Sequence, residues 1–250
     1  MQKKNVLLNR LDILFAVLVG LWSFALYIRT LALSVLSTDY AEFQTLFYTL
    51  GMTHPTGYPV HVLIGRIFTL IPIRTIAYRA NLSSAFFAAI VIAEVYLIVY
   101  LLGRHRIAAL SSALLLAHLP LFWQFAIIAE SYSIASAFSL TIFLLILLWR
   151  EKGNWYFLFF AGLLGGASIG VHGGIAMAAP AIALYLLLTA RKRDAWIGGI
   201  TGALVGVVIL AASFLYIDQN DPPSSIYNSV YRPSLSRWNI TEEEFDTPLE

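Results

Sequence analysis

Long apolar runs, broken by short polar connections, make up most of the chain. Seven of these runs have the character of membrane-spanning helices: 11–36, 78–102, 107–128, 134–149, 155–171, 174–190 and 195–217. A spanning helix needs about 20 consecutive, mostly apolar residues, which the longer runs supply. The fifth and sixth runs are short and rich in glycine, as suits a closely packed helical hairpin. The pattern predicts an all-α integral membrane protein with about seven transmembrane helices.

One connection, residues 37–77, is too long for a simple loop and lies between the first two runs. In its first half, polar residues separate apolar side chains that recur at helical spacing, namely Phe43, Leu46, Phe47 and Leu50. This pattern predicts an amphipathic helix over 40–50 that lies in the membrane interface. The apolar run 60–71 has only about 12 residues, which favours an interfacial or re-entrant helix over a span. The prolines and glycine of the intervening segment, 54–59, predict a rigid non-helical turn.

The charged residues orient the predicted helices. Ten of the 16 basic residues fall at the N-terminus and in three short connections, 103–106, 150–154 and 191–194. Ten of the 14 acidic residues fall on the opposite side. Because cytoplasmic connections carry an excess of lysine and arginine, this distribution predicts a cytoplasmic N-terminus and an extracytoplasmic C-terminus. The long first connection then lies on the outer face.

Composition narrows the class of protein further. Hydrophobic residues make up 59% and charged residues 12% of the 250 residues, against roughly 45–50% and about 25% in soluble domains. A water-soluble globule is therefore excluded. The net charge of +2 comes from short basic clusters beside apolar runs, so no nucleic-acid partner is expected. The absence of cysteine excludes disulfides, thiol catalysis and thiolate metal sites.

The pattern divides the chain into two segments. Residues 1–217 form a polytopic membrane domain, with residues 37–77 as its first outer loop. Residues 218–250 form a polar extracytoplasmic tail with four prolines and an acidic run at 242–244. Because this tail ends without a closing element, we expect the chain to be a fragment or a shortened version of a longer protein.

Several polar side chains are candidates for chemistry on the outer face. Asp39 and Glu42 lie three residues apart, which places both carboxylates on one face of the amphipathic helix. Either could act as a general base, or Asp39 could cap the helix with Glu42 completing a capping box. Glu130 and His172 lie in short outer turns, and together with His54 they predict a pocket where the outer loops meet. The same groups are compatible with solvated helix ends or with metal ligands, although no specific ligand spacing is present.

Four basic side chains on the outer half of the predicted membrane domain are candidates for binding phosphate. They are Arg29, Arg66, Arg74 and Arg79. A guanidinium binds phosphate bidentately, but from a helix end it also reaches ordinary lipid headgroups. Glu94 lies within the second predicted span, where a carboxyl is costly, and we favour a pairing role for it inside the bundle.

Two neighbouring motifs make the first outer loop recognisable. They are Thr38-Asp39-Tyr40-Ala41-Glu42-Phe43-Gln44 and, after Tyr48-Thr49-Leu50-Gly51-Met52-Thr53, the segment His54-Pro55-Thr56-Gly57-Tyr58-Pro59. The sequence resembles the bacterial protein O-mannosyltransferase-like family of the GT-C glycosyltransferase superfamily, whose members show Gly-Asp-Ser-Gly-Glu and then His-Pro-x-Gly-Tyr-Pro. The similarity extends to 64–66, 77–82, 129–132 and the region of His172. In this chain Thr38, Tyr40 and Ala41 replace the glycines and serine of the first motif.

The resemblance implies a glycosyltransferase with a polyprenyl-phosphate sugar as its donor. Asp39 and Glu42 would be the catalytic residues, with Asp39 deprotonating an acceptor hydroxyl that attacks the anomeric carbon with inversion. The implied substrate-binding residues are His54, Tyr58, Arg66, Arg79, Glu130 and His172. The two arginines and two histidines among them could stabilise the leaving phosphate. The implied location is the bacterial plasma membrane, with membrane lipids and the lipid-linked sugar as partners, while any need for a cofactor or a divalent metal is left open.

A second interpretation is a non-catalytic scaffold or accessory subunit that retains this fold and binds other membrane subunits in a larger complex. The short length, the bulky Tyr40 beside Asp39 and the open-ended tail favour it. A transporter fits less well, because its polar groups would cluster at mid-membrane in broken spans related by a repeat. An enzyme, by contrast, predicts a polar pocket at the outer leaflet together with a groove for a lipid tail.

Overall fold

The computed structural model describes residues 8–35, 39–54 and 57–220, apart from the side chain of Asp39. Within these residues the α-helices are α1 (Arg10–Thr30), α2 (Asp39–Thr49), α3 (Pro59–Thr69), α4 (Ile76–Gly103), α5 (Arg106–Ala117), α6 (Pro120–Ala126), α7 (Ser131–Lys152), α8 (Trp155–Ala167), α9 (Ala179–Thr189) and α10 (Arg193–Asn220). Two 3₁₀ segments, Ser168–Gly170 and Gly173–Ala178, join α8 to α9. The predicted all-α membrane fold is confirmed. The polar tail beyond residue 220 lies outside the described residues.

In the described part of the chain, four helices are long and apolar enough to cross a membrane: α1, α4, α7 and α10. The pair α5 and α6 adds a fifth if it forms one span, bent by 67°. Pro120 begins α6 without the amide that would continue α5, and it disfavours helical geometry in the residue before it, which explains the bend. The predicted count of seven spans is not confirmed, because the fifth and sixth apolar runs form the shorter helices Trp155–Gly170 and Gly173–Thr189.

Helix α4 contacts α1, α5 and α7 and forms the centre of one half of the bundle. Its fully buried face includes the small residues Ala85 and Ala88, which allow neighbouring helices to approach closely. Glu94, also on α4, is buried and accepts a hydrogen bond from the hydroxyl of Thr141 on α7. This contact is consistent with the pairing role expected for Glu94.

An ion pair joins the N-terminal ends of α1 and α5. Asp12 is fully buried and its Oδ1 lies 2.7 Å from Nε of Arg106, the first residue of α5. Asn9 and Asp12 also form a reciprocal capping box at the start of α1. The end of the bundle that holds this ion pair is the end predicted to be cytoplasmic.

Helices α8 and α10 approach each other at four glycines, which we call the glycine seam. The seam consists of Gly162, Gly166, Gly202 and Gly206. At each of these positions a Cβ atom would come within 3.0 Å of a backbone atom of the opposite helix, so only glycine fits. The expectation of a close hairpin between the fifth and sixth apolar runs is wrong about the partner, because these glycines of α8 face α10 and not α9.

A cavity of about 360 Å³ lies between α7, α8, α10 and the segment 173–190. Its lining is mostly apolar and includes Ile142, Leu158 and Ile182. Ser139 and Ser168 contribute hydroxyl groups to it. Helix α9 buries none of its own residues, so it covers this side of the bundle with little packing of its own.

Candidate functional site

Helix α2 forms one wall of the site. As predicted, it is amphipathic: Phe43, Leu46 and Phe47 are buried, whereas Thr45 and Thr49 on the other face are exposed. Asp39 is the first residue of α2, and the helical spacing of three places it on the same face as Glu42. The roles of base and cap expected for the side chain of Asp39 fall outside the described structure and stay predictions.

Glu42 and His54 form a close pair at the heart of the site. Glu42 Oε1 accepts a hydrogen bond from the backbone N–H of His54 at 2.7 Å. Glu42 Oε2 lies 2.7 Å from Nδ1 of the same residue. Because Glu42 is 5% exposed, both oxygens are held in one geometry within a largely dry environment. Glu42 therefore orients His54, and its expected part in a capping box with Asp39 stays a prediction.

On either side of residues 55–56, which lie outside the described part of the chain, the N–H of Gly57 donates a hydrogen bond to the carbonyl of His54 at 2.8 Å, in agreement with the non-helical turn that the sequence predicts. Gly57 (φ 82°) and Tyr58 (φ 47°) both adopt left-handed backbone conformations immediately before α3. For a non-glycine residue this conformation costs roughly 1–2 kcal/mol. It directs the ring of Tyr58 to 5.2 Å from that of His54 and 6.0 Å from that of His172, measured between ring centroids. Such strain is typical of functional sites.

His172 reaches the same place from the break between α8 and α9. Its Nδ1 accepts a hydrogen bond from the N–H of Gly174 at 3.0 Å and so caps the second 3₁₀ segment. Its ring also lies 5.8 Å from that of Tyr132, at the start of α7. We call Glu42, His54, Tyr58 and His172 the loop site, because interhelical segments distant in the sequence meet there.

Glu130 lies at the edge of this region, and its carboxylate caps a helix. It is 7% exposed and caps α7, because its Oε2 accepts a hydrogen bond from the N–H of Ser131 at 2.9 Å. The hydroxyl of Ser84 also accepts a hydrogen bond from the backbone N–H of Glu130 at 3.2 Å. Glu130 thereby fixes the start of α7, from which Tyr132 projects towards His172.

The two arginines expected at the phosphate have other partners. Arg66 donates a hydrogen bond to the backbone carbonyl of Tyr48, and its guanidinium lies 5.1 Å from the centre of the Tyr48 ring. Arg79 donates to three backbone carbonyls, those of Thr69, Ile73 and Arg74. Arg66 thus holds α3 against α2, and Arg79 holds the end of α3 against α4. None of these contacts is with a residue of the loop site.

Asn81 is a positioning residue for which we made no prediction of function. It is fully buried on α4, where its Oδ1 accepts hydrogen bonds from Gln44 Nε2 at 2.9 Å and from the N–H of Ala129 at 2.8 Å. Its Nδ2 donates to the carbonyl of Ala32 at 2.8 Å. One side chain thus fixes α2, the turn before α7 and the chain after α1. The available signal was an amide within an apolar helix, a position where polar residues usually have a specific partner.

His61 on α3 is a second unpredicted residue. It is 2% exposed, its ring lies 4.9 Å from the rings of Phe43 and Phe47, and its Nδ1 has no hydrogen-bond partner among the described residues. Burial lowers the pKa of His61 to about 3, with a smaller contribution from His172. His61 is therefore a neutral core residue beneath the loop site.

Among the described residues, no group of three or more histidine, aspartate or glutamate side chains is placed to hold a metal ion. The loop site instead combines one carboxylate, two imidazoles and a phenol, which are groups that bind hydroxyls and phosphate oxygens by hydrogen bonds.

These features define a multi-pass helical membrane protein with a polar site built largely from its first interhelical loop. Residues 39–195, more than half of the chain, match the family model described as the protein O-mannosyl-transferase TMEM260 N-terminal domain. The chain belongs to this family.

Two relatives show the extent of the similarity. The chain is 31% identical to the protein O-mannosyl-transferase TMEM260 of Mus musculus over 115 residues, which cover 46% of this chain and 16% of the relative. It is 30% identical to the protein O-mannosyl-transferase tmem260 of Dictyostelium discoideum over 134 residues, which cover 52% of this chain and 16% of the relative. The chain therefore matches only a small part of each relative's length. No solved structure matches the chain.

Proposed function

We propose that this chain carries the reaction site of a membrane glycosyltransferase of the GT-C type, which transfers a sugar from a polyprenyl-phosphate donor to an acceptor hydroxyl on the outer face. The observation that carries the proposal is the loop site itself, in which Glu42, His54, Tyr58 and His172 converge from separate segments. The relatives named above as protein O-mannosyl-transferases favour mannose as the sugar and a protein hydroxyl as the acceptor.

The transfer is a single displacement. The acceptor oxygen forms a bond to the anomeric carbon while the bond from that carbon to the phosphate oxygen breaks, and its electron pair leaves with the lipid phosphate. Asp39, at the start of α2, takes the proton of the acceptor hydroxyl. Both oxygens of Glu42 are held by His54, so Asp39 is the better candidate for the base on this face of α2.

The apolar cavity offers a place for the lipid tail of the donor. Its lining includes Ser168 and Ile175, which lie four residues before and three residues after His172 in the sequence. A polyprenyl chain entering between α7, α8 and α10 would then hold its phosphate beside the loop site. An apolar cavity next to polar groups is the usual form of a site for an amphiphilic ligand.

The proposed orientation follows the distribution of charge along the sequence. The loop site lies at the end of the bundle opposite the pair of Asp12 and Arg106, and the basic connections predict that this pair faces the cytoplasm. The loop site then faces outwards, and the membrane is the plasma membrane if the chain is bacterial.

A transfer assay tests the proposal. Purified protein in lipid nanodiscs is mixed with polyprenyl-phosphate mannose and a serine- and threonine-rich peptide, and mannosylated peptide is measured by mass spectrometry. We expect transfer by the wild type and a loss of about 100-fold or more in kcat for Asp39→Asn, which keeps the shape of the side chain but cannot accept the proton. Asp194→Asn, in the first turn of α10, serves as the matched control and should retain full activity.

Two outcomes would contradict the proposal. Full activity of Asp39→Asn would exclude Asp39 as the base. An absence of transfer by folded wild-type protein would favour the scaffold interpretation, in which the fold is kept for contacts with other membrane subunits.

A further inference from the structure

His172 is the strongest candidate for direct contact with the phosphate of the donor. We propose that Nε2–H of His172 donates a hydrogen bond to an oxygen of the leaving phosphate, and that the N–H of Gly174 keeps the imidazole in the form that allows this. The inference rests on the proposed function, because that function supplies the lipid phosphate. The resemblance implies two arginines and two histidines near the phosphate, and the inference selects His172 among them.

The hydrogen bond from Gly174 determines which nitrogen of His172 carries the proton. A backbone N–H can only donate, so Nδ1, which lies 3.0 Å from the N–H of Gly174, must be the acceptor. A neutral imidazole that accepts at Nδ1 carries its hydrogen at Nε2. The ring therefore presents a hydrogen-bond donor on its far edge, and no hydrogen bond from Nε2 is formed within the described part of the chain.

The neutral imidazole of His54 is held in the opposite tautomer. The carboxylate of Glu42 can only accept, so the proton of a neutral His54 lies on Nδ1, and its Nε2 is an acceptor. An acceptor nitrogen does not bind a phosphate oxygen. Of the two histidines beside Tyr58, His172 is the one whose neutral ring is held in a phosphate-binding form.

The arginines do not compete for this role. The guanidinium of Arg66 is held at Tyr48, and that of Arg79 lies on three backbone carbonyls. His172, in contrast, lies between the rings of Tyr58 and Tyr132, with centroid distances of 6.0 Å and 5.8 Å. The neighbouring residues Ile175 and Ala176 line the apolar cavity. A lipid phosphate whose chain occupies that cavity would thus lie close to His172 along the chain, and we infer that it binds the donor edge of the ring.

In the reaction, His172 stabilises charge without transferring a proton. As the bond between the anomeric carbon and the phosphate oxygen breaks, negative charge increases on the phosphate. A donor already in place becomes more favourable as that charge develops, and it needs no rearrangement to act. The proton of the acceptor hydroxyl goes to Asp39, as proposed above.

The two roles of His172 can be separated by substitution. In His172→Asn the side-chain oxygen can still accept from the N–H two residues later, as asparagine does in turns, but the distant donor is lost. In His172→Ala both the cap and the donor are lost. If His172 only caps the 3₁₀ segment, Asn will restore the wild-type behaviour. If His172 binds phosphate, Asn and Ala will both be defective.

Binding in nanodiscs measures the phosphate contact without any transfer. The dissociation constants of polyprenyl monophosphate and of the uncharged polyprenol are compared for each protein, and inorganic phosphate is tested as a competitor. We expect the wild type to prefer the lipid phosphate over the alcohol, and His172→Asn and His172→Ala each to lose about tenfold or more of that preference. Competition by millimolar inorganic phosphate would show a site for free phosphate, and its absence would show a site for the lipid phosphate. Either result supports the contact if it depends on His172.

A substitution two residues after His172 provides an independent test of the phosphate contact. A Cβ at residue 174 would lie 3.0 Å from both Cε1 and Nδ1 of the imidazole, so Gly174→Ala should displace the ring and lower the phosphate preference as well. Gly103→Ala is the matched control, because a Cβ there meets nothing within 4 Å. A thermal melt of each variant confirms that it is folded.

The outcomes distinguish this inference from the proposed function. Wild-type preference for phosphate in His172→Asn, or no such preference in the wild type, would overturn the role of His172. A preference that depends on His172 in a protein that transfers no sugar would support the phosphate contact while contradicting the transferase activity.

Discussion

The loop site and the glycine seam hold their parts of the molecule together by different means. Around the loop site, segments far apart in sequence are joined by hydrogen bonds, above all those of Asn81 and those between Glu42 and His54. At the glycine seam, α8 and α10 are joined by close backbone packing with no side chain between them. Polar contacts determine the orientation of individual side chains, as a reaction site requires. Glycine packing determines only the distance between helices, which suffices for the wall of an apolar cavity.

The largest expected effect is a substitution in the glycine seam. Gly162→Ala would place a Cβ within 3.0 Å of backbone atoms of Gly199 and Ala203, and neither backbone can move aside as a side chain would. We expect a loss of about 1–3 kcal/mol or more in stability, seen as a melting temperature lower by roughly 2–12 °C. Thermal unfolding in detergent measures this.

The same helix offers a matched control. Gly165→Ala adds the same methyl group to α8 at a position where a Cβ meets nothing within 4 Å, so stability should be kept or slightly raised. Equal melting temperatures for the two variants would show that α8 and α10 are not in close backbone contact.

The second effect concerns the hydrogen-bonding centre behind the loop site. Asn81→Ala would remove the partner of the N–H of Ala129 and of the carbonyl of Ala32, and one of the partners of the Gln44 amide, in a buried place. A buried polar group without a partner costs about 1–3 kcal/mol, so we expect a loss of about 2–3 kcal/mol. Asn81→Asp keeps the two accepted bonds but places a buried carboxylate oxygen against the carbonyl of Ala32, so it should also melt below the wild type. If both variants melt like the wild type, Asn81 does not hold α2 in place.

Substitutions of Glu42 are expected to lower stability less and to change the tautomer of His54. Glu42→Ala removes both hydrogen bonds to His54, at a cost of roughly 1–2 kcal/mol because His54 is partly exposed to solvent. Glu42→Gln has an N–H that can donate to Nδ1, which would move the proton of the neutral imidazole to Nε2. Nitrogen NMR of labelled histidine detects that change. An unchanged tautomer in Glu42→Gln would contradict the assigned pairing.

The last effect is the change in stability that acid causes through His61, beneath the loop site. Burial lowers the pKa of His61 from 6.5 to about 3, so the unfolded chain binds a proton that the folded chain does not. Stability is therefore fully present above pH 6.5 and falls as the pH decreases from 6.5 towards 3. Replacing the imidazole in His61→Leu should reduce the fall in melting temperature between pH 7.5 and pH 5. A slope as steep as that of the wild type would show that His61 is not buried as a neutral ring.

Local features of the fold could be predicted from the sequence because their signals are local. The spacing of Phe43, Leu46 and Phe47 predicts α2, and the prolines and glycine of 54–59 predict the turn before α3. The bend between α5 and α6 has a local signal too, in Pro120, yet the length of the apolar run 107–128 favoured a single straight span. The length of an apolar run limits how many helices can span the membrane, but it does not reveal where a helix breaks.

The contacts of the loop site could be predicted only in part. The convergence of His54, Glu42 and His172 followed from placing the first outer loop and the turn at His172 on one side of the membrane. Their pairing did not, because the contact between residues 42 and 54, like that between 44 and 81, depends on how α2 packs on α3 and α4. Arg66 and Arg79 were expected at the phosphate from their charge and from the family resemblance, and nothing in the sequence shows that backbone carbonyls hold them.

The most direct test of the site is to find where the donor lies. A polyprenyl-phosphate mannose with a photoreactive group on the first isoprene unit is bound to the wild type in nanodiscs, irradiated and mapped by mass spectrometry. We expect labelled residues within 168–182 and around Tyr58, and we expect unmodified donor to suppress the labelling. Labelling confined to α1 and α5, or labelling that excess donor does not reduce, would contradict a donor site at His172 and the apolar cavity.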